Sequence, residues 1–230
     1  MCKPIVRKIT KKEAESLLHP YHYLTKESKG FRTGYNYGAF IDDVLQAVCI
    51  FHNPSVPELV KGCFGLTRTD QRGILELGRL VKHPSANGRL ILSQFVAMAM
   101  KEVRKELDVR AILSYADSRY HAGYIYQSLN FMYYGLTNLK SDWWFEQEDG
   151  TFIKHTRGKV KGSKGEWRPR SRKHRYLLVF DKTLKTKWLP QAYPKKDNKE
   201  YKYYDNGRTA FGYKEKIFST VSRPVHEVRA

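Results

Sequence analysis

The stretch from Ile74 to Gly135 constrains the fold of this chain more than any other. It reads ILELGRLVKHPSANGRLILSQFVAMAMKEVRKELDVRAILSYADSRYHAGYIYQSLNFMYYG. The apolar run Ile74 to Val81 predicts a strand, with Arg79 inside it and Pro84 just beyond its end. Leu92, Phe95, Val96, Met98, Ala99, Val103 and Leu107 recur at helical spacing, with Lys101, Arg104 and Lys105 on the other side. That predicts an amphipathic helix over 90–107. Ala111 to Tyr115 reads as a second, buried strand, with Asp117 just past its end. A short helix over 122–129 and an aromatic strand over 131–136 complete the segment. Strand, helix and strand in this order require a right-handed crossover. The expected fold is therefore α/β, with a mixed, partly parallel central sheet flanked by helices.

The rest of the chain extends this core. Residues 4–10 alternate as a short strand, and Thr10 is placed to cap a helix starting at Lys11. A loop dense in Tyr, His and Gly then runs to Gly38, long enough to carry function. GAFI and VLQAVCIF read as two strands around an Asp42–Asp43 turn. Lys154 to Arg175 is rich in Gly, Ser, Lys and Arg and reads as a flexible basic loop. YLLVFD (176–181) is a clear strand. The expected organisation is a catalytic core over 1–150 and a basic extension over 151–230, packed as one structural domain.

Charge decides which partners are plausible. The chain carries 42 Lys+Arg against 23 Asp+Glu, a net charge of +19. Residues 151–230 hold 22 basic and 7 acidic residues, leaving 20 and 16 for 1–150. Such an excess on one segment favours a polyanion, nucleic acid before anionic membrane. No apolar run approaches the ~20 residues that span a bilayer, and no secretory leader is visible. The cysteines, Cys2, Cys49 and Cys63, lack CxxC spacing. They fit reduced thiols and a cytoplasmic protein.

Asp117, at the end of a buried strand, stands where ligands gather in open α/β sheets. It suits a proton acceptor, or a turn aspartate capping the segment at Tyr120 and His121. Arg79 in an apolar strand needs an anionic partner, whether Asp117, Glu76 or a ligand phosphate. His22 suits a base or metal ligand. Tyr21, Tyr23, Tyr35 and Tyr37 suit stacking on an extruded base or ordinary packing. Ser93 suits phosphate binding or capping. The loop Ser85–Arg89, with Asn87, Gly88 and Arg89, precedes a helix N-terminus that offers amides to an anion. Lys161, Lys164, Arg168, Arg170, Arg172, Lys173, Arg175, Lys202 and Lys214 suit phosphate neutralisation. The histidines show no HExxH spacing, and a metal assembled from distant residues stays open.

The chain resembles the Mom family of phage DNA-modification enzymes, itself similar to the GNAT acyltransferase superfamily. The resemblance rests on Tyr21-His22-Tyr23, the strand LELGRLV with Arg79, and the helix containing Ser93. It also rests on SYADSRYHAGYIYQSLNF with Asp117 and Tyr126, and on KWLPQAYPKK in the tail. It implies a GNAT-like core that converts the exocyclic amine of adenine in duplex DNA to a carbamoylmethyl (glycinamide) form, protecting the DNA from restriction. His22, Tyr23, Asp117 and Tyr126 then inherit catalytic roles, and Tyr124 or Tyr126 that of a general acid. Arg79, Ser93, Asn87, Gly88 and Arg89 inherit cofactor roles. GNAT enzymes hold pyrophosphate on R/Q-x-x-G-x-G/A, and this loop has a single glycine. The donor is therefore open between acetyl-CoA and a glycine-derived molecule, and a homodimer is open too. Two other readings stand beside this one: a related transferase acting on RNA or protein, and a non-catalytic DNA-binding protein.

Overall fold

The computed structural model describes residues 4–23, 30–154, 163–194, 200–205 and 208–213, the last two stretches by their backbone alone. The chain folds into two compact units. The first comprises 1–115, 124–134 and 175–192, the second 116–123, 135–174 and 193–230. This division departs from the expected boundary at 150. The segment 175–192 returns to the first unit because its strand joins that unit's sheet.

Strand β1 (Ile5–Lys8) leads into helix α1 (Lys11–Tyr21). Thr10 caps α1 in a full capping box: its hydroxyl accepts from the Glu13 amide, and the Glu13 carboxylate accepts from the Thr10 amide. The helix runs two residues further than its sequence pattern suggests and carries Pro20 in its last turn. Strands β2 (Tyr35–Ile41) and β3 (Val44–His52) form a hairpin. Asp42 and Asp43 turn it with φ of 51° and 59°, a left-handed pair that aspartate tolerates better than most side chains. Helix α2 (Pro57–Phe64) opens on a proline at its first position. Its eight residues hold too few apolar repeats to show a period, so the sequence pattern does not announce it.

Strand β4 (Ile74–Lys82), helix α3 (Leu92–Glu106) and strand β5 (Ala111–Asp117) form the expected crossover, with β4 and β5 parallel. The buried face of α3 is Phe95, Val96, Ala99, Met100 and Val103. Met98, expected inside, is 40% exposed; its angular position lies beyond the edge of the buried arc, on the far side of Phe95. Helix α4 (Tyr124–Gln127) and strand β6 (Met132–Leu136) come next. Then come β7 (Lys140–Glu146), β8 (Phe152–Lys154), β9 (Gly165–Arg170) and β10 (Lys173–Val179). Strands β11 (Glu200–Asp205) and β12 (Arg208–Tyr213) close as an antiparallel hairpin.

A seven-stranded sheet has the order β1-β2-β3-β4-β5-β10-β6. It is mixed, with the parallel β4–β5 pair among antiparallel neighbours. One apolar cluster joins α1 (Ala14, Leu17, Leu18) to Val48, Ile50 and Val81. Another joins α2 (Val60, Cys63, Phe64) to Ile74, Ala111, Leu113, Tyr134 and Leu177. The second unit contains a three-stranded sheet in the order β8-β7-β9. The segment expected as a flexible basic loop is therefore partly a strand: Gly165 to Arg170 pairs along β7 from Phe145 to Lys140. Trp143 opposite Trp167 gives that pairing an aromatic anchor, ring centroids 5.4 Å apart.

Cys49 and Cys63 are buried free thiols, and Cys2 lies outside the described residues. Among the described residues no helix is long and apolar enough to cross a membrane.

Candidate functional site

In the first unit, chemistry gathers where two strands part. The β4–β5 ladder runs from Ile74 opposite Ala111 to Leu77 opposite Ser114 and stops there. On its other side β4 stays paired with β3, through a bulge that skips Gly78: Ile50 faces Arg79 and Phe51 faces Leu77. Gly78 is required, because a Cβ there would sit 2.0 Å from His52 Nε2. The His52 Nδ1 lies 2.8 Å from the Asn53 carbonyl. A carbonyl only accepts, so Nδ1 is the donor in this contact. From Gly78 onward the described residues pair β4 on its β3 side alone, leaving amides and carbonyls for an extended ligand.

Arg79 projects from this bulge on the face that α1 covers, as its pairing with Ile50 requires. Its Nη1 donates to the Gly78 carbonyl at 2.7 Å. Burial lowers its pKa, opposed by Tyr23 and Glu76. Asp117, one partner the sequence allowed, is bound elsewhere. His22 is buried and stacks on Tyr23 at 4.7 Å with an 18° interplanar angle. The structure thus brings Tyr23, Arg79 and Glu76 within electrostatic range, with His22 against Tyr23.

On the opposite face, Tyr126 is buried against Phe131 and Tyr176 at 5.7 and 5.2 Å. Burial pushes its pKa up to about 12, opposed by a hydrogen bond with Ser114. The Ser114 hydroxyl donates to the Leu77 carbonyl at 2.9 Å. Tyr126 and Ser114 therefore meet at the residue pair where the ladder ends. Tyr124 is 45% exposed.

Ser93 is half-buried in the first turn of α3. The first backbone bond of that helix runs from the Phe95 amide to the Ile91 carbonyl at 3.1 Å. The amides of Leu92, Ser93 and Gln94 precede it, and no side chain caps them. With the unpaired β4 edge, they suit a donor that has an anionic end and an extended arm. Gly88 takes φ of 75° and Asn87 is exposed. Arg89 is already committed, its guanidinium 2.5 Å from Asp42.

One aromatic assignment changes. Tyr37 is 1% exposed, and its hydroxyl donates to Glu106 at 2.6 Å. Its ring is core and is not available to stack on a base. Tyr35 is half-buried at the start of β2.

In the second unit, Asp117 pairs with Lys173 and accepts from the Arg119 amide at 3.0 Å. Its burial by itself raises the pKa. Lys173, Ser171 and that amide outweigh it and hold the carboxyl below its usual range. Burial lowers the pKa of His121, with Asp117 opposing and Lys173 adding to it. His174 is 1% exposed; burial first, then His121 and Arg172, bring it down to about 4. Lys173 is thus the counter-ion of Asp117. Arg172 likewise turns inward and donates from Nε to the Thr137 carbonyl at 2.7 Å. Both are engaged by partners within this unit.

Three of the expected cations remain at the surface of this unit. Lys164 lies 3.0 Å from Glu146, and Arg170 3.5 Å from Asp142. The Arg168 guanidinium lies over Trp144 and Phe152 at 4.8 and 4.3 Å. In the first unit, Arg175 lies over Trp188 at 4.7 Å. Lys161 and Lys214 fall outside the described residues, and Lys202 is described only as part of β11. Among the described residues no three His, Cys, Asp or Glu side chains come together as metal ligands.

Sequence reasoning missed His52, Tyr115 and the role of Lys173. Tyr115 had a signal, as the strand residue two before Asp117. His52 had none, because its meaning depends on a glycine in another strand.

A family model described as the Mom protein family matches residues 3–195. No curated protein matches the sequence. Solved structures similar to the chain include the ribosomal-protein-S18-alanine N-acetyltransferase of Escherichia coli, at 11% identity and a TM-score of 0.45, covering 77% of this chain and 94% of that one. A Bacillus subtilis acetyltransferase in complex with CoA is 15% identical at a TM-score of 0.46, with 77% and 99% covered. A Drosophila melanogaster polyamine N-acetyltransferase is 12% identical at 0.49, with 77% and 100% covered.

Proposed function

The chain belongs to the Mom protein family, and on that footing we propose that it is a transferase placing a carbamoylmethyl-type group on the exocyclic amine of adenine in duplex DNA. Family membership supplies the acceptor. The observation that carries group transfer is the β4–β5 ladder ending at Leu77 and Ser114. Beyond it the β4 backbone is unpaired on that side among the described residues, and the α3 N-terminus presents amides to an anion. Acetyl-CoA and a glycine-derived donor both have such chemistry. The basic segment over 151–230 suits a polyanionic acceptor.

The residues divide the work by their protonation. An adenine amine must lose a proton as its new bond forms. Asp117, held ionised by Lys173, suits accepting that proton. Tyr126 keeps its proton at neutral pH and suits protonating a leaving group. Arg79 holds an anion. A base inside a duplex must be extruded to react, and the aromatic residues Tyr21 and Tyr35 remain candidates to receive it.

The test is mass spectrometry of nucleosides from plasmid DNA of cells expressing the protein. A new deoxyadenosine derivative is expected with the wild type and not with Asp117→Asn, while Tyr126→Phe lowers its yield roughly 100-fold or more. Unmodified DNA from cells with abundant soluble wild type would sink the proposal. A derivative found in transfer RNA instead would move the acceptor to RNA.

A further inference from the structure

Three buried polar atoms of the first unit have no hydrogen-bond partner among the described residues: Arg79 Nε, the Tyr115 hydroxyl and Arg175 Nε. They belong to β4, β5 and β10, which are consecutive in the sheet. The Phe180 amide bonds the Arg110 carbonyl at 2.9 Å, and the Ser118 amide bonds the Arg172 carbonyl at 3.1 Å. An antiparallel register that satisfies both places Tyr115 opposite Arg175.

All three side chains share one face. Tyr115 is two residues past Leu113, and Glu76 two past Ile74; Leu113 and Ile74 both pack under α2. Glu76 faces His52, two residues past Ile50, and Ile50 faces Arg79 across the bulge. The row is at the level where β4 and β5 cease to pair. Glu76 is within electrostatic range of both Arg79 and Tyr115, and Tyr115 of Arg175. Arg175 makes no hydrogen bond or ion pair with the described residues; its guanidinium contact is the Trp188 ring.

Buried donors without acceptors are costly, and native proteins carry few of them. Three in one row across adjacent strands point to an acceptor that the described residues do not supply. We propose that Arg79, Tyr115 and Arg175 form a binding site for a small oxyanion, the carboxylate or phosphate group of a small-molecule ligand. Guanidinium groups match planar oxyanions with paired N–H donors, and the phenol adds another. Two arginines against Glu76 leave one positive charge, which suits a monoanion. The site deepens the anion-holding role proposed for Arg79 and rests on that reading, but it does not depend on which acceptor the protein modifies.

The experiment is titration of purified full-length protein with sodium acetate and with sodium phosphate, at ionic strength held constant with chloride. Binding is followed by thermal denaturation and calorimetry. At least one anion is expected to raise Tm saturably. Tyr115→Phe is expected to melt at or above the wild-type temperature without ligand, since it removes an unsatisfied hydroxyl, yet to bind the anion roughly 5- to 10-fold more weakly. Arg175→Met is expected to lose the response, and Tyr115→Phe decides the matter if that variant does not fold. A preference for acetate assigns a carboxylate, and a preference for phosphate a phosphate ester. If ordered water alone serves these atoms, neither anion will bind saturably, or wild type and Tyr115→Phe will respond alike. Either result overturns the proposal.

Discussion

His174 and Asp117 show how much the meaning of a side chain depends on what surrounds it. His174 is buried, and burial holds its pKa at about 4 against an ordinary 6.5. The unfolded chain binds the proton first as pH falls, so this histidine's contribution is complete above pH 6.5 and is lost on the way down to about 4. At about 1.4 kcal/mol per pH unit, that window is worth on the order of 3 kcal/mol. His174→Gln should flatten the pH dependence of urea-unfolding stability between those limits; an unchanged slope would refute it. Asp117 has the opposite charge logic, its lowered pKa keeping its pairing with Lys173 intact down through the carboxylate range. The two side chains are 5% and 26% exposed. Lys173→Met strands a buried carboxylate and should cost about 3 kcal/mol or more, most of it recovered in Asp117→Leu/Lys173→Met. Additive costs in that double-mutant cycle would show that the pair is not coupled.

Among the elements, β4 matters most, because one irregularity organises its surroundings. The Gly78 bulge turns Arg79 onto the α1 face and seats the His52 ring where a Cβ would otherwise lie. Gly78→Ala should therefore destabilise by about 2 kcal/mol or more, the cost typical of an overpacked core. Combining it with His52→Ala should recover much of that, since the clash is between those two groups. Chemical denaturation of the four-member cycle measures the coupling, and a value near zero would contradict the geometry. Helix α1 offers a simpler test of local chemistry. Thr10→Ala removes the side-chain half of a complete capping box and should cost about 1 kcal/mol in the same assay.

At the scale of the molecule, the net charge of +19 sets how the protein meets other polyelectrolytes. Binding to duplex DNA should weaken steeply with salt, with a log–log slope of about −5 or steeper. Arg170→Ala should reduce that slope by about one if Arg170 contacts a phosphate. Lys173→Ala should leave it unchanged, because that ammonium is spent on Asp117. A slope near zero for the wild type would remove nucleic acid as the partner that this charge serves.

The sequence by itself determined the elements whose causes are local. The apolar period of α3, the cap at Thr10, the Asp42–Asp43 turn and the crossover from β4 to β5 are written in neighbouring residues. Charge and the absence of a long apolar run were equally legible, being properties of composition. The candidate site was legible in part: Arg79, Asp117, Tyr126 and His22 carry polar chemistry at strand and helix ends, where a sequence pattern points. What the tertiary structure alone decided were the relations between distant segments. Lys173 became the partner of Asp117 instead of a DNA contact, and Tyr37 became core through Glu106, 69 residues away. Gly78 acquired its role from His52, and Tyr115 and Arg175 were set side by side by the register of two strands. Local patterns encode which face of an element is apolar. Which polar groups meet across a sheet depends on strand order and register, and these are set only when the whole core packs.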